Sequence, residues 1–121
     1  MNEGEFIRVV CNESGLTQDQ AEILTQATLE TLAERLTPEE ADDLASQLPE
    51  PMQDLLLSDR ETPDDFGLDE FVRRVSDRSG ADVSEVREDV HAVFSALRLA
   101  TAPGELDDVL SGLPREFAEV L

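Results

Sequence analysis

An internal repeat constrains the fold of this chain more than any other feature of its sequence. Residues 5–56 align without a gap to residues 70–121, and sixteen of the 52 aligned positions are identical at an offset of 65. Gly15 recurs in register as Gly80. Glycine commonly ends helices, so its recurrence indicates that the repeated unit contains a helix that ends at the same place in each copy. The ungapped match as a whole indicates that this unit has been duplicated.

The repeat predicts both the architecture and the domain organisation. Two copies are fewer than the roughly three repeats that a stable solenoid needs. We therefore expect an all-α protein, a compact helical bundle with pseudo-two-fold symmetry in which two similar units bury their apolar stripes against each other. A single domain spans 1–121, with the first unit at 5–57, a polar linker at 58–67 and the second unit at 68–121.

Capping residues predict where helices begin and end. The first helix, at 5–13, should end at Gly15, because glycine adopts the left-handed conformation at low cost. Thr17 and Gln20 have the spacing of a capping box, which predicts a long helix that runs to about Leu36. Two further pairs of N-cap and N3 residues predict helix starts: Thr37 with Glu40, and Asp82 with Glu85.

Apolar residues spaced by three and four positions predict the buried helix faces. In the first unit these faces comprise Phe6, Ile7, Val9, Val10, Ala21, Leu24, Thr28, Leu29, Leu32, Leu36, Ala41, Leu44, Ala45, Leu48, Met52, Leu55 and Leu56. In the second unit they comprise Phe71, Val72, Val75, Val86, Val90, Val93, Phe94, Leu97, Leu106, Val109, Leu110, Leu113, Phe117, Val120 and Leu121.

The charge of the chain limits its partners. It carries 29 Asp and Glu against nine Arg, has no Lys, and has a net charge of −20. Such a chain repels nucleic acid and anionic membranes. Acidity without Lys suggests adaptation to a salty cytoplasm, because at about 1 M salt the Debye length falls to ~3 Å and self-repulsion is screened. The alternative is that the acidity serves a basic partner.

Three observations predict a cytoplasmic protein without membrane contact. The first residues lack the basic and apolar regions of a signal peptide. No window approaches the roughly 18 uncharged apolar residues that a membrane helix needs. Cys11 is the only cysteine, so an internal disulfide is impossible and a reducing compartment fits.

Two segments of the first unit resemble a known family. Residues 29–36 read LETLAERL and residues 41–49 read ADDLASQLP. This pattern resembles an uncharacterised prokaryotic family, domain of unknown function (DUF) 2267, and residues 71–75 with Leu113-Pro114 look similar to the same pattern in the second half. The resemblance covers nearly the whole chain and implies an all-helical tandem fold. It implies no activity, cofactor or catalytic residue.

Glu88 and His91 are one candidate for metal binding. They form Glu-x-x-His, the spacing that di-iron carboxylate bundles use. Such sites need a second motif on another helix, but the aligned residues of the first unit are Ile23 and Gln26. We therefore interpret His91 as a surface residue of a helix and keep a metal site as the alternative.

Recurring carboxylate pairs, Asp42-Asp43 and Asp107-Asp108, are the second candidate. Paired carboxylates can bind a hard cation or activate water. Adjacent residues of a helix, however, do not face each other. Acids in the first turn of a helix are also favoured by the helix dipole. We place both pairs in first turns and interpret them as helix-start residues, with ion binding as the alternative.

Two other features have ordinary interpretations. Arg73, Arg74 and Arg78 form the densest basic cluster, but nearby acids neutralise it, and nucleic-acid binding needs a sustained basic face. We expect ion pairs on a solvated face.

Cys11 lacks a neighbouring base in the sequence, so a small, half-buried cysteine is expected rather than a nucleophile.

These observations predict a non-enzymatic protein-interaction or regulatory module that uses no cofactor and is adapted to high salt. Its partner would be a basic protein or another copy of the chain, and grooves between the two units would form the contact zone. The alternative is a metal- or small-ligand-binding protein that uses the carboxylate pairs. Association with DNA is the least favoured hypothesis.

Overall fold

The computed structural model describes residues 1–57 and 62–121, so residues 58–61 of the predicted linker lie outside the described part. Within the described residues the chain is a compact helical bundle without strands, which confirms the all-α prediction. Its α-helices are α1 (Glu3–Ser14), α2 (Gln18–Arg35), α3 (Pro38–Ala45), α4 (Glu50–Gln53), α5 (Leu68–Ser79), α6 (Val83–Ala100) and α7 (Glu105–Leu110), and 3₁₀ turns span Asp54–Leu56 and Arg115–Glu119.

Capping boxes begin α2 and α3 at the predicted residues. The Thr17 hydroxyl accepts a hydrogen bond from the backbone N–H of Gln20, and the Gln20 side chain accepts one from the N–H of Thr17. Thr37 and Glu40 make the same exchange at α3. Each box satisfies backbone donors that have no partner inside the helix, which is why local sequence sets these starts.

Two other helix starts differ from the prediction. α1 begins before residue 5 because Asn2 and Glu5 form a third capping box, a start that the Asn-x-x-Glu spacing could have indicated. Asp82 is the N-cap of α6, as predicted. Its carboxylate accepts from the N–H of Ser84 rather than from that of Glu85, so a capping box is not formed there.

Glycines end the first helix of each half. Gly15 has φ 79° and Gly80 has φ 78°, and each N–H donates to a carbonyl oxygen of the preceding helix at 2.8 Å. Gly15 therefore acts as predicted. α1 and α5 are both 12 residues long, and α2 and α6 are both 18 residues long.

The helices of the two halves pack against each other. α1 lies chiefly against α6, and α2 lies chiefly against α5. Apolar residues from both halves form one continuous core. Inside it, the Phe71 ring lies edge-on to Phe117, with 5.4 Å between ring centroids, and 6.3 Å from the ring of Phe94. Aromatic pairs in such geometry add to the stabilisation from burial.

Most of the predicted core residues are buried, and Val9, Leu55, Leu113 and Leu121 pack against the core with partial exposure. Phe66 lies in the predicted linker and was not among the predicted core residues, but it is only 8% exposed. This end of the linker therefore contributes to the core.

Candidate functional site

An arginine clamp, formed by Arg35, Arg74 and Arg78, joins α2 to α5 and to the segment before α5. Arg78 spans the contact between the two helices. Its Nη1 donates to Oε1 of Glu34 at 2.7 Å and to Oγ1 of Thr31 at 2.6 Å. The Glu34 side chain is only 14% exposed, so this ion pair is shielded from solvent more than a typical surface pair.

Arg74 has the most partners in the clamp. Its Nε donates to Glu70 at 2.9 Å, and its Nη1 lies 3.2 Å from an Asp64 oxygen and 3.4 Å from Oε1 of Glu34. Its guanidinium also lies over the ring of Phe66, 4.1 Å from the ring centroid. Such cation–π contact adds an attraction that depends on the face of the ring.

Two hydrogen bonds, each involving backbone groups of the linker, attach the end of the linker to α2. Arg35 Nε donates to the carbonyl oxygen of Phe66 at 2.9 Å. The Asp64 N–H donates to the carbonyl oxygen of Glu34 at 2.8 Å. The described end of the predicted linker is therefore attached to the first half by polar contacts as well as by the buried ring.

Two neighbouring arginines, Arg73 outside the clamp and Arg74 inside it, change the titration of Glu70. Hydrogen bonds from Arg73 and Arg74 lower the pKa of Glu70 from its ordinary value of 4.5 to about 2. Because the folded pKa is depressed, these pairs stabilise the fold above pH ~4.5, and their contribution is lost as pH falls toward 2. The predicted ion pairs of the basic cluster are confirmed. Arg74 and Arg78 also reach Glu34 on α2, a contact between helices that was not predicted.

A cleft of about 280 Å³ opens between the two halves. This cleft lies where a contact zone between the two units was predicted, and its role in contact stays a prediction. It is lined by Leu16, Gln20, Ile23, Leu24, Ser79, Gly80, Ala81, Glu85, Val86 and Asp89. One side is therefore mostly apolar, and the other carries two carboxylates.

The two sides of the cleft differ in chemistry. Ile23 is 50% exposed and lines the cleft together with Leu16 and Leu24. Glu85 and Asp89 are four residues apart on α6 and so share a helix face. Partial burial raises the pKa of Asp89, and the nearby charges of Glu88 and Glu85 raise it further. The cleft therefore combines an exposed aliphatic group with negative charge.

The proposed ligands Glu88 and His91 lie exposed on α6. Nδ1 of His91 is 3.2 Å from the carbonyl oxygen of Val120, so the ring contacts the C-terminal segment. Within residues 1–57 and 62–121, no group of three or more His, Cys, Asp or Glu side chains is placed to hold a metal ion. Cys11 is half-buried against the core, as predicted.

The carboxylate pairs occupy different helix positions. Asp107 and Asp108 lie in the first turn of α7, as predicted, and Asp107 also pairs with Arg98. Asp42 and Asp43 lie in the second turn of α3, so the prediction of a first-turn position was wrong for this pair. The capping box before α3 begins that helix early enough to place other acids in its first turn.

The profile of an uncharacterized conserved protein family, DUF2267, matches residues 3–120. The chain belongs to the DUF2267 family. The match covers all seven described α-helices of this DUF2267 protein. A comparison with curated proteins gives no match. None of the helices in the described part combines the length and the hydropathy that crossing a membrane requires.

We expect Arg74→Gln to lower the free energy of unfolding of this DUF2267 protein by about 1–3 kcal/mol, because it removes charged hydrogen bonds from partly buried carboxylates. Arg73→Gln is the matched control. Arg73 is 57% exposed and pairs only within α5, so its loss should cost less than about 0.5 kcal/mol. Urea unfolding at fixed KCl, followed by far-UV circular dichroism, measures both. Equal losses would contradict the clamp.

We expect Asp89→Asn to raise the free energy of unfolding at pH 7. The pKa of Asp89 is raised in the fold, so ionisation disfavours the folded state, and the gain should vanish at acidic pH, where the carboxyl is neutral in both states. Glu13→Gln removes an exposed charge and corrects for reduced self-repulsion. Thermal unfolding from pH 7 to pH 3 tests this. A gain equal to the control at every pH would exclude the effect.

Proposed function

We propose that this protein is a non-enzymatic protein-interaction module of the cytoplasm, adapted to high salt, whose contact surface is the cleft between the two halves. The partner that fits this surface is a basic protein segment with an apolar anchor residue. The single observation that carries the proposal is the exposed Ile23 beside the carboxylates of Glu85 and Asp89.

The composition of the cleft resembles that of a protein interface. Interfaces place apolar groups at the centre and polar groups at the rim. Here Ile23 and Leu16 supply apolar surface, and Glu85 and Asp89 supply negative charge at one side. Complementary charge steers encounter and fixes orientation. A basic residue next to an aliphatic one would therefore satisfy both sides of the cleft.

We further infer that the fold arose by duplication and that a pseudo-two-fold axis passes through the cleft. Residues at aligned positions line the same space only near an axis that exchanges the halves. Three such pairs line the cleft: Leu16 with Ala81, Gln20 with Glu85, and Leu24 with Asp89. Because a leucine faces an aspartate across this axis, a bound segment would have one preferred direction.

Salt adaptation rests on the charge balance. A net charge of −20 on 121 residues strongly opposes a compact state in dilute solution. At about 1 M salt the Debye length is only ~3 Å, so repulsion between exposed acids is screened. Shielded pairs such as those of Glu34, whose side chain is 14% exposed, are screened less and persist.

We expect helicity and melting temperature to rise steeply with KCl into the molar range, because screening relieves the repulsion between acids. Far-UV circular dichroism is the suitable probe, since the chain has no Trp or Tyr. Complete folding in dilute buffer, with a melting temperature that does not respond to KCl, would contradict salt adaptation. The acidity would then be attributed to the partner.

We expect affinity capture at the source cell's internal salt to retain a basic protein that depends on the cleft. Ile23→Asp should release it, because the substitution removes the apolar anchor point. Leu99→Asp is the matched control, since Leu99 is 66% exposed on α6 and does not line the cleft. Mass spectrometry identifies the partner, and light scattering detects self-association. If every captured protein is retained equally by the wild type and by Ile23→Asp, the proposal is refuted.

A further inference from the structure

Asp89 is the unusual residue of the cleft between the halves. It aligns with Leu24, which is only 3% exposed, so α6 carries a carboxylate where α2 carries a core leucine. Asp89 is half-buried and lies three residues after the buried Val86, so the two share a side of the helix. The second half thus places an ionisable group at a position whose spacing otherwise selects apolar residues.

The Asp89 carboxylate lacks a compensating partner. Within residues 1–57 and 62–121 it has neither an ion pair nor a hydrogen bond, and the nearest charges are the carboxylates of Glu88 and Glu85. A charge that is partly removed from water costs free energy unless a cation or a donor compensates it. Glu34 of α2, whose side chain is 14% exposed, shows the compensated case, because it pairs with Arg78 at 2.7 Å.

The end of α5 adds further acceptors to the same cleft. Ser79 is the last residue of α5, Gly80 follows it, and both line the cleft. The last carbonyl groups of a helix have no partner inside it, and the helix dipole makes this end negative. Arg78, in the last turn, directs its Nη1 to Glu34 and Thr31 instead. The lining, as far as the structure describes it, contains no Arg, Lys or His.

The size and chemistry of the cleft select its occupant. Its volume of about 280 Å³ is just below the range of about 300–1,000 Å³ that is typical of ligand pockets, so it suits one side chain. Leu16 and Ile23 provide apolar surface for an alkyl stem. A guanidinium is planar, has five N–H donors and is more weakly hydrated than an ammonium, so a half-buried carboxylate with neighbouring acceptors favours arginine over lysine.

We propose that the cleft binds one arginine side chain of the basic partner and that Asp89 is the residue that selects arginine over lysine. The guanidinium pairs with Asp89, and its remaining donors reach Glu85 and the end of α5. Its stem lies along Leu16 and Ile23. This inference rests on the proposed function of the cleft and adds the identity of the side chain that the cleft recognises.

An NMR titration of the ¹⁵N-labelled chain at pH 7, at a KCl concentration at which the fold is complete, tests this assignment. The probes are acetyl-Gly-Leu-Arg-Gly-amide and the same peptide with lysine or with citrulline, a neutral analogue of arginine. We expect saturable shifts at the amides of Ile23, Gly80 and Ala81. The arginine peptide should bind about threefold more tightly than the lysine peptide and about tenfold more tightly than the citrulline peptide.

Equal affinity for the arginine and lysine peptides, or no saturable shift with any of them, overturns the proposal. Neither result decides whether the cleft contacts a protein. That question is answered by the capture experiment, through the dependence of the retained protein on Ile23.

Two variants separate recognition from folding. Asp89→Asn should stabilise the fold at pH 7, yet weaken binding of the arginine peptide about tenfold and remove the preference over lysine. Asp43→Asn is the matched control, because Asp43 is exposed on α3 and does not line the cleft. It should leave the affinity within about twofold. Wild-type affinity and preference in Asp89→Asn would overturn the role of Asp89.

Binding should also lower the pKa of Asp89. In the free protein, partial burial and the charges of Glu88 and Glu85 hold this pKa above its ordinary value, and a bound guanidinium favours the ionised form. The residues that α2 and the turn before α6 contribute to the lining are not titratable. Carboxyl ¹³C NMR from pH 7 to pH 4, with and without saturating arginine peptide, measures the shift. An unchanged pKa at saturation contradicts direct contact.

Discussion

The packing of α1 on α6 and of α2 on α5 is the contact on which the rest of the structure depends. Each half presents apolar stripes, and the other half covers them. Phe6 and Phe71 occupy aligned positions, and both are fully buried in the shared core. Removal of apolar surface from water is the dominant favourable term in folding, so each half depends on the other for its stability.

Charge is arranged around this core in two ways. At the joint between the halves, arginines engage carboxylates and stack on Phe66, which stabilises the contact between α2 and α5. At the cleft, the carboxylates of Glu85 and Asp89 lie along one side. A chain with a net charge of −20 projects a negative field outward. Such a field attracts cations and repels phosphate-rich molecules, which agrees with the basic partner proposed for the cleft.

Features set by neighbouring residues could be predicted from the sequence, and features set by distant contacts could not. The boxes at Thr17 and Thr37 depend on four consecutive residues, so they were found. Phe66 is a single apolar residue in a polar segment, and its ring lies against Arg74 of the next helix, a contact that local spacing does not reveal. The buried hydroxyl of Thr25 has no hydrogen-bond partner within the described residues, unlike those of Thr28 and Thr31. This difference was also beyond prediction, because it depends on a side-chain rotamer rather than on spacing.

The covering of each half by the other has a consequence for assembly. A second copy of the chain offers the same surfaces, so α5 and α6 of one copy can pack on α1 and α2 of another. The connection that ends at Phe66 is the only covalent link between the halves, and the arginine clamp holds its described end closed. Loosening that clamp would lower the barrier to exchange of halves, as in domain-swapped dimers. A higher protein concentration during refolding would then favour the exchanged form over the monomer.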